Sequence, residues 1–123
     1  MKAILQELNT VVGIKGSMAV APDGMIVASE LSGIEDETAA AMASRMILTT
    51  KRSLDKLNFG DISQLVLTST HGKIVLVAAG NAFLLAMVDI NTSLEHTLIE
   101  ILSAARKIRN IGRIIPSPTA GTQ

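Results

Sequence analysis

The chain has 123 residues, which suits one ordinary domain with a buried core rather than two. Eleven basic side chains balance eleven acidic ones, and the only aromatic residues are Phe59 and Phe83. The basic surface and stacking rings of a typical nucleic-acid-binding protein are therefore missing. The chain has no cysteine, which excludes disulfides and cysteine-based catalysis or metal binding, and which fits a reducing cytosol.

No segment has the length and composition of a membrane helix. The longest apolar stretch runs from Ile74 to Val88 and is interrupted by Gly80 and Asn81. It is shorter than the ~20 residues that a membrane helix needs, and two strands joined by a turn explain it better. The N-terminus has the pattern of an amphipathic helix rather than a signal peptide. We expect a soluble, cytoplasmic protein with no membrane insertion.

The N-terminal third predicts a helix and a β-hairpin. Apolar residues recur at helical spacing near the N-terminus: Ile4, Leu5, Leu8, Val11 and Val12. We expect this helix to end at Gly13. Two short apolar runs, 17–21 and 25–29, then flank a Pro-Asp-Gly sequence at 22–24. Proline presets one turn dihedral, aspartate bonds to its own backbone and glycine tolerates positive φ, so this segment predicts a hairpin turn.

The middle of the chain predicts one long helix. Ser32 and Glu35 have the spacing of a capping box, and acidic residues crowd the expected first turn. Basic residues lie towards the other end, where they complement the helix dipole. The pattern predicts a helix from about Glu35 to Leu57, and Gly60 is expected to stop it.

The last part of the chain predicts three strands and a helix. Segments 62–69, 73–79 and 82–90 are apolar and are separated by tight turns, which indicates an antiparallel meander. Apolar residues then mark one face of a final helix: Leu94, Leu98, Ile101, Leu102, Ala105 and Ile108. We expect a single α+β sandwich over 1–115, with the order αββαβββα and a five-stranded antiparallel sheet. The proline-interrupted tail, 116–123, is expected to be disordered.

Two features predict an interface with a second subunit. The middle helix is apolar on nearly all sides between Ala39 and Leu48, and such a helix needs burial on more than one face. If segment 62–69 is an edge strand, its uncharged centre also needs a cover. The predicted interface comprises Ala39, Met42, Ala43, Met46, Ile47, Thr50, Leu65, Val66 and Leu67. The alternative is that the alanines only raise helix propensity.

No pattern predicts a catalytic, cofactor or metal site. Segment 13–17 resembles a phosphate-binding loop only faintly, because its residue order is wrong and it follows a helix. His71 and His96 have no clustered ligands around them. Arg45 and Arg52 on the middle helix could in principle act as an arginine finger, but nothing assigns either to catalysis. We therefore expect a protein that is not an enzyme.

Four basic residues near the end of the last helix are candidates for a partner contact: Arg106, Lys107, Arg109 and Arg113. The simpler interpretation, which we favour, is that they complement the negative end of the helix dipole.

The order and spacing of these features resemble the Roadblock/dynein light chain family. The matching segments include the hairpin at 20–28, the alanine-rich helix at 39–48, the strand at 65–67 and the turn at 71–74. The resemblance extends from Leu5 to about Ile108. It implies that the middle helix covers one face of the sheet and that the first and last helices cover the other. It also implies dimers formed through the second helix and third strand, with one sheet across both subunits.

Some members of that family are light chains of the dynein motor, and others are scaffolds for Ras-like small GTPases. Some prokaryotic members activate GTP hydrolysis on a Ras-like partner, and the resemblance is nearest to this type. It implies a dimeric protein-binding module, paired with itself or with a related Roadblock-like chain, that regulates or scaffolds a Ras-like small GTPase. The alternatives are a structural adaptor with no effect on GTP hydrolysis and, less favoured for want of a polar cluster, a small-ligand sensor.

Overall fold

Eight elements follow one another in the expected order α-β-β-α-β-β-β-α. The computed structural model describes residues 1–114, so the tail expected at 116–123 lies outside the described residues. The elements are α1 (Lys2–Leu8), β1 (Ile14–Val20), β2 (Ile26–Glu30), α2 (Asp36–Leu57), β3 (Gln64–Thr68), β4 (Gly72–Ala79), β5 (Ala82–Asp89) and α3 (Leu94–Ile114). Within 1–114, the predicted α+β class is confirmed.

The strands form one antiparallel sheet in the order β2-β1-β5-β4-β3. β1 and β5 lie at its centre, and the segments 16–20 and 82–86 within them are buried throughout. Central strands that are covered on both faces have this nearly continuous apolar sequence. The predicted hairpin and meander are both present, and β2 and β3 are the two edge strands.

The sheet separates two apolar cores, since successive side chains on a strand point to opposite faces. On one face, the core joins α2 to Met18, Val20, Leu76, Phe83 and Leu85 of the sheet. On the other, α1 and α3 pack on Ala19, Val75, Val77, Leu84, Ala86 and Val88. The expected placement of the helices is confirmed, since α2 is the one helix on its face within residues 1–114.

α2 runs from Asp36 to Leu57, as predicted, but its two ends are capped differently from the expectation. Glu35 rather than Ser32 occupies the N-cap position, without a side-chain capping bond. The Asp36 carboxylate instead accepts a hydrogen bond from Ser29 Oγ on β2 at 2.8 Å. At the other end, Asn58 adopts the left-handed conformation (φ 56°) and stops the helix before Gly60 is reached. The Phe59 amide donates to the carbonyl of Leu54, as in a Schellman motif.

α1 is shorter than predicted, because it ends at Leu8 instead of continuing to Gly13. Val12 therefore lies outside the helix and is 87% exposed. A partly buried polar contact holds the end of α1 to the sheet, since the Ser17 hydroxyl on β1 donates to Asn9 Oδ1 at 2.7 Å. The Asn9 amide in turn donates to the Glu30 carbonyl on β2 at 2.9 Å. These contacts depend on three separate segments and have no local sequence signature.

Candidate protein-interaction surface

α2 lies off-centre on its face of the sheet. Its close backbone contacts with the sheet are mainly with β1 and β2. One side of the helix is tied to the β1–β2 turn, where Ser44 Oγ donates to the Pro22 carbonyl at 2.6 Å. On the same face of the outer strands, Leu65 and Ile74 are only half-buried and Leu67 is 43% exposed. One copy of α2 thus leaves the β3 half of this face incompletely covered.

The side of α2 that faces these strands is uncharged. Residues two apart on a helix differ by about 200° in direction, so Met42 and Met46 lie across the helix from Ser44. Met42 is 59% exposed, while Met46 and Thr50 are half-buried. We call the set Met42, Met46, Thr50, Leu65 and Leu67 the α2–β3 surface. All of its members belong to the interface predicted from the sequence.

Four other residues of that predicted interface lie elsewhere. Ala39, Ala43 and Ile47 are at most 4% exposed, because they pack against the chain's own sheet. They form the stripe of α2 that faces the core and have no surface left for a second subunit. Val66 points to the opposite face of the sheet and packs against the α1–α3 core. The expectation that these side chains line a dimer interface is corrected accordingly.

The two edge strands differ in how they are protected. β3 pairs with β4 in an unbroken register, and segment 65–67 carries no charge. The register of β2 with β1 is broken by a bulge. The Glu30 carbonyl is occupied by Asn9, and its carboxylate accepts a hydrogen bond from Gln6 at 2.9 Å and lies 3.9 Å from Lys2 Nζ. Bulges and charges are devices that prevent edge pairing, so β3 is the open edge.

A shallow groove with two arginines lies on the outer side of α2. Its cavity of about 310 Å³ is lined by Ala41, Ser44, Arg45, Leu48, Thr49 and Arg52. Both guanidinium groups are on exposed residues, and within residues 1–114 neither forms an ion pair. Leu48, which is 43% exposed, supplies an apolar centre. This combination can receive an acidic surface with an apolar residue at its middle.

The basic residues predicted as partner contacts do not form a single patch. Lys107 lies 3.4 Å from the Glu7 carboxylate on α1, and Arg106 is exposed. Arg109 is half-buried and donates to the Ala78 carbonyl at 3.4 Å. The Arg113 side chain lies outside the described residues.

Within residues 1–114, no three His, Asp or Glu side chains come close enough together to hold a metal ion. In the same part of the chain, no helix combines the length and apolar character needed to cross a membrane.

Comparison with known proteins settles the family. The model of the Roadblock/LC7 domain matches residues 1–89. The chain belongs to the Roadblock/LC7 domain family. Two uncharacterized proteins of Methanocaldococcus jannaschii are each 36% identical to it over 107 residues, covering 86% of this chain and 94% of the relative. The family resemblance seen in the sequence is therefore confirmed.

Solved structures share the fold of this Roadblock/LC7 domain. MglB of Myxococcus xanthus superposes with a TM-score of 0.87 at 14% identity, covering 93% of this chain and 95% of that one. A Roadblock/LC7 domain from Streptomyces avermitilis gives a TM-score of 0.83 at 15% identity, with 90% and 96% covered. At these identities the likeness concerns the fold alone.

Proposed function

We propose that this Roadblock/LC7 domain forms a homodimer through the α2–β3 surface and that the dimer regulates or scaffolds a Ras-like small GTPase. The observation that carries the dimer is the half-covered sheet face beside an open edge strand. A second copy, related by a two-fold axis, supplies both missing parts. Its α2 extends the cover over the sheet, and its β3 pairs with the open edge.

The charges on α2 favour an antiparallel arrangement of the two helices. Asp36 and Glu37 lie in the first turn and Lys56 in the last. Antiparallel packing places the acidic end of one helix beside the basic end of the other, whereas parallel packing places like charges together. The exposed apolar residues at the two ends of α2 agree with this arrangement. Ile34 precedes the helix, and Phe59, which is 72% exposed, follows it. Antiparallel packing brings Ile34 of one copy towards Phe59 of the other.

The GTPase assignment rests on the family together with the arginine groove. The resemblance drawn from the sequence is nearest to prokaryotic members that activate GTP hydrolysis. Since the groove lies on the outer side of α2, a dimer through the α2–β3 surface leaves both copies of it accessible on the same face. No arginine is assigned to catalysis. We expect the dimer to act by selecting a conformation of the partner's switch loops.

The dimer is tested by adding one charge to each edge strand in turn. Leu67→Lys places a cation on the open edge, and we expect sedimentation equilibrium to show at least a tenfold weaker association. Val27→Lys on β2 is the matched control, because Val27 is 47% exposed and Leu67 43%. Equal association constants for the two variants would mean that β3 is not the interface.

The partner is tested by a pull-down from native lysate with the tagged protein, in the presence of a GTP analogue or GDP. We expect a small GTPase to be recovered preferentially in its GTP form. We expect the Arg45→Glu, Arg52→Glu double variant to lose it, because the groove becomes acidic. Arg106→Glu changes an exposed arginine on α3 and is the control, which should still recover the GTPase.

Recovery of a large assembly with no nucleotide dependence would indicate a structural adaptor instead.

A further inference from the structure

A second, larger groove lies on the α1–α3 face, at the end of the sheet that carries the β1–β2 and β4–β5 turns. Its volume is about 580 Å³, within the range typical of small-molecule sites. Most of its wall is apolar and comes from Ala21, Val27, Ala79, Ala82, Ile108 and Ile111. We propose that this groove binds an amphipathic carboxylate, a single acidic head on a short apolar chain.

Arg109 supplies the charge that selects such a ligand. It lines the groove and is half-buried. Its Nη2 group donates to the Ala78 carbonyl at 3.4 Å, and its side chain packs over Gly80, where an added Cβ would lie 3.5 Å from Arg109 Cγ. A guanidinium carries further N–H donors, which remain for a ligand. In the part of the chain that the structure describes, no carboxylate lies within ion-pair distance of Arg109.

The Arg109 charge and the apolar wall of the groove together determine the chemical class of the ligand. A carboxylate matches the planar guanidinium geometrically and electrostatically. A neutral apolar ligand would leave the remaining guanidinium donors without a partner in the groove. Among the described lining residues, Arg109 is the one with a cationic side chain, which matches a single acidic head. The sequence of residues 115–123 contains no acidic side chain that could pair with Arg109. A separate amphipathic carboxylate satisfies both parts of the groove.

This site is independent of the proposed dimer. The groove lies against the α1–α3 core, which includes Ala79 and Ile108. The α2–β3 surface lies against the other core. Ligand binding and self-association can therefore succeed or fail separately.

In the experiment, the full chain is titrated with octanoate, citronellate and 1-octanol. Binding is measured by calorimetry and by the shifts of the methyl resonances of Val27, Ile108 and Ile111. We expect the carboxylates to bind and to shift these methyls. Arg109→Met should weaken carboxylate binding about tenfold and leave octanol unchanged. Val27→Glu should abolish carboxylate binding, whereas Val12→Glu, at an 87% exposed valine, should not. Tighter octanoate indicates a straight acyl chain, and tighter citronellate a branched isoprenoid one.

Three outcomes would overturn the proposal. The first is that neither carboxylate shifts the groove methyls. The second is that octanoate and octanol bind equally in the wild type and in Arg109→Met. The third is that Ile115→Gln shifts these methyls without ligand and that carboxylates bind only to that variant. The third result would mean that the chain's own residues after α3 occupy the groove.

Discussion

At the scale of single residues, two glycines that both have a positive φ have different surroundings. Gly13 and Gly33 have φ values of +94° and +83°, in the left-handed region that a side chain disfavours. A Cβ added to Gly13 would clash with the Thr92 side chain, whereas one added to Gly33 meets nothing within 4 Å among residues 1–114. Gly13 also anchors the entry to β1, because its carbonyl accepts the Asp89 amide at 2.8 Å.

We expect Gly13→Ala to destabilise the domain more than Gly33→Ala. The backbone conformation costs roughly 1–2 kcal/mol in both variants. The clash with Thr92 adds about 1–3 kcal/mol at Gly13 alone. Urea unfolding of the two variants measures the difference directly. Equal losses of the free energy of unfolding would show that Thr92 moves aside without cost.

At the scale of the elements, α2 presents two apolar faces with different partners. Adjacent positions illustrate this, since Ala43 is 0% exposed and Met42 is 59% exposed. Ala43 packs in the core with the sheet, and small side chains in its stripe let the helix approach the strands closely. Met42 belongs to the α2–β3 surface. The same helix therefore serves the fold on one side and, in the proposed dimer, association on the other.

Substituting glutamate for Ala43 and, separately, for Met42 tests the effects on folding and on self-association independently. Ala43→Glu buries an unpaired charge and should cost roughly 3–5 kcal/mol, which is much of the stability of a small domain. Met42→Glu should change the free energy of unfolding of the dilute monomer by about 1 kcal/mol or less, while weakening self-association. Far-UV circular dichroism melts and sedimentation equilibrium measure the two effects. A fully folded, stable Ala43→Glu protein would contradict the assignment of this stripe to the core.

At the scale of the whole molecule, the sheet face under α2 is wider than one helix covers. The β3 half retains Leu65, Leu67 and Ile74 as partly exposed side chains, and no second helix of the chain reaches that face within residues 1–114. The opposite face is covered more fully, because α1 and α3 share it. This asymmetry is the structural reason for the proposed dimer.

Association linked to folding makes thermal stability depend on protein concentration. We expect the melting temperature of the wild type to rise by roughly 5 °C over a hundredfold increase in concentration. Leu67→Lys should show a smaller rise, and Val27→Lys should behave as the wild type does. A melting temperature that is the same at all concentrations would count against the dimer.

Much of the fold could be predicted because its signals are local. The Pro-Asp-Gly sequence at 22–24 forms the expected turn, with the Met25 amide donating to Asp23 Oδ1 at 3.1 Å. The tight spacing of the last three strands leaves only antiparallel pairing, and the apolar stripe of α3 marks its buried face. The bounds of α2 were predicted, but its caps were not, because the Ser29–Asp36 contact and the left-handed Asn58 replace the expected capping box and glycine stop.

The sequence by itself determined the order of the elements, the class of the fold and the presence of more apolar surface on α2 than one sheet contact needs. Only the tertiary structure decided that Ala39, Ala43 and Ile47 face the core, that Glu30 protects the β2 edge from pairing, and that Arg109 lies beside an apolar groove. The physical reason is the distance along the chain over which each signal acts. Turn chemistry and periodicity act between residues close along the chain, whereas the choice among apolar faces depends on contacts between segments that meet only when the chain has folded.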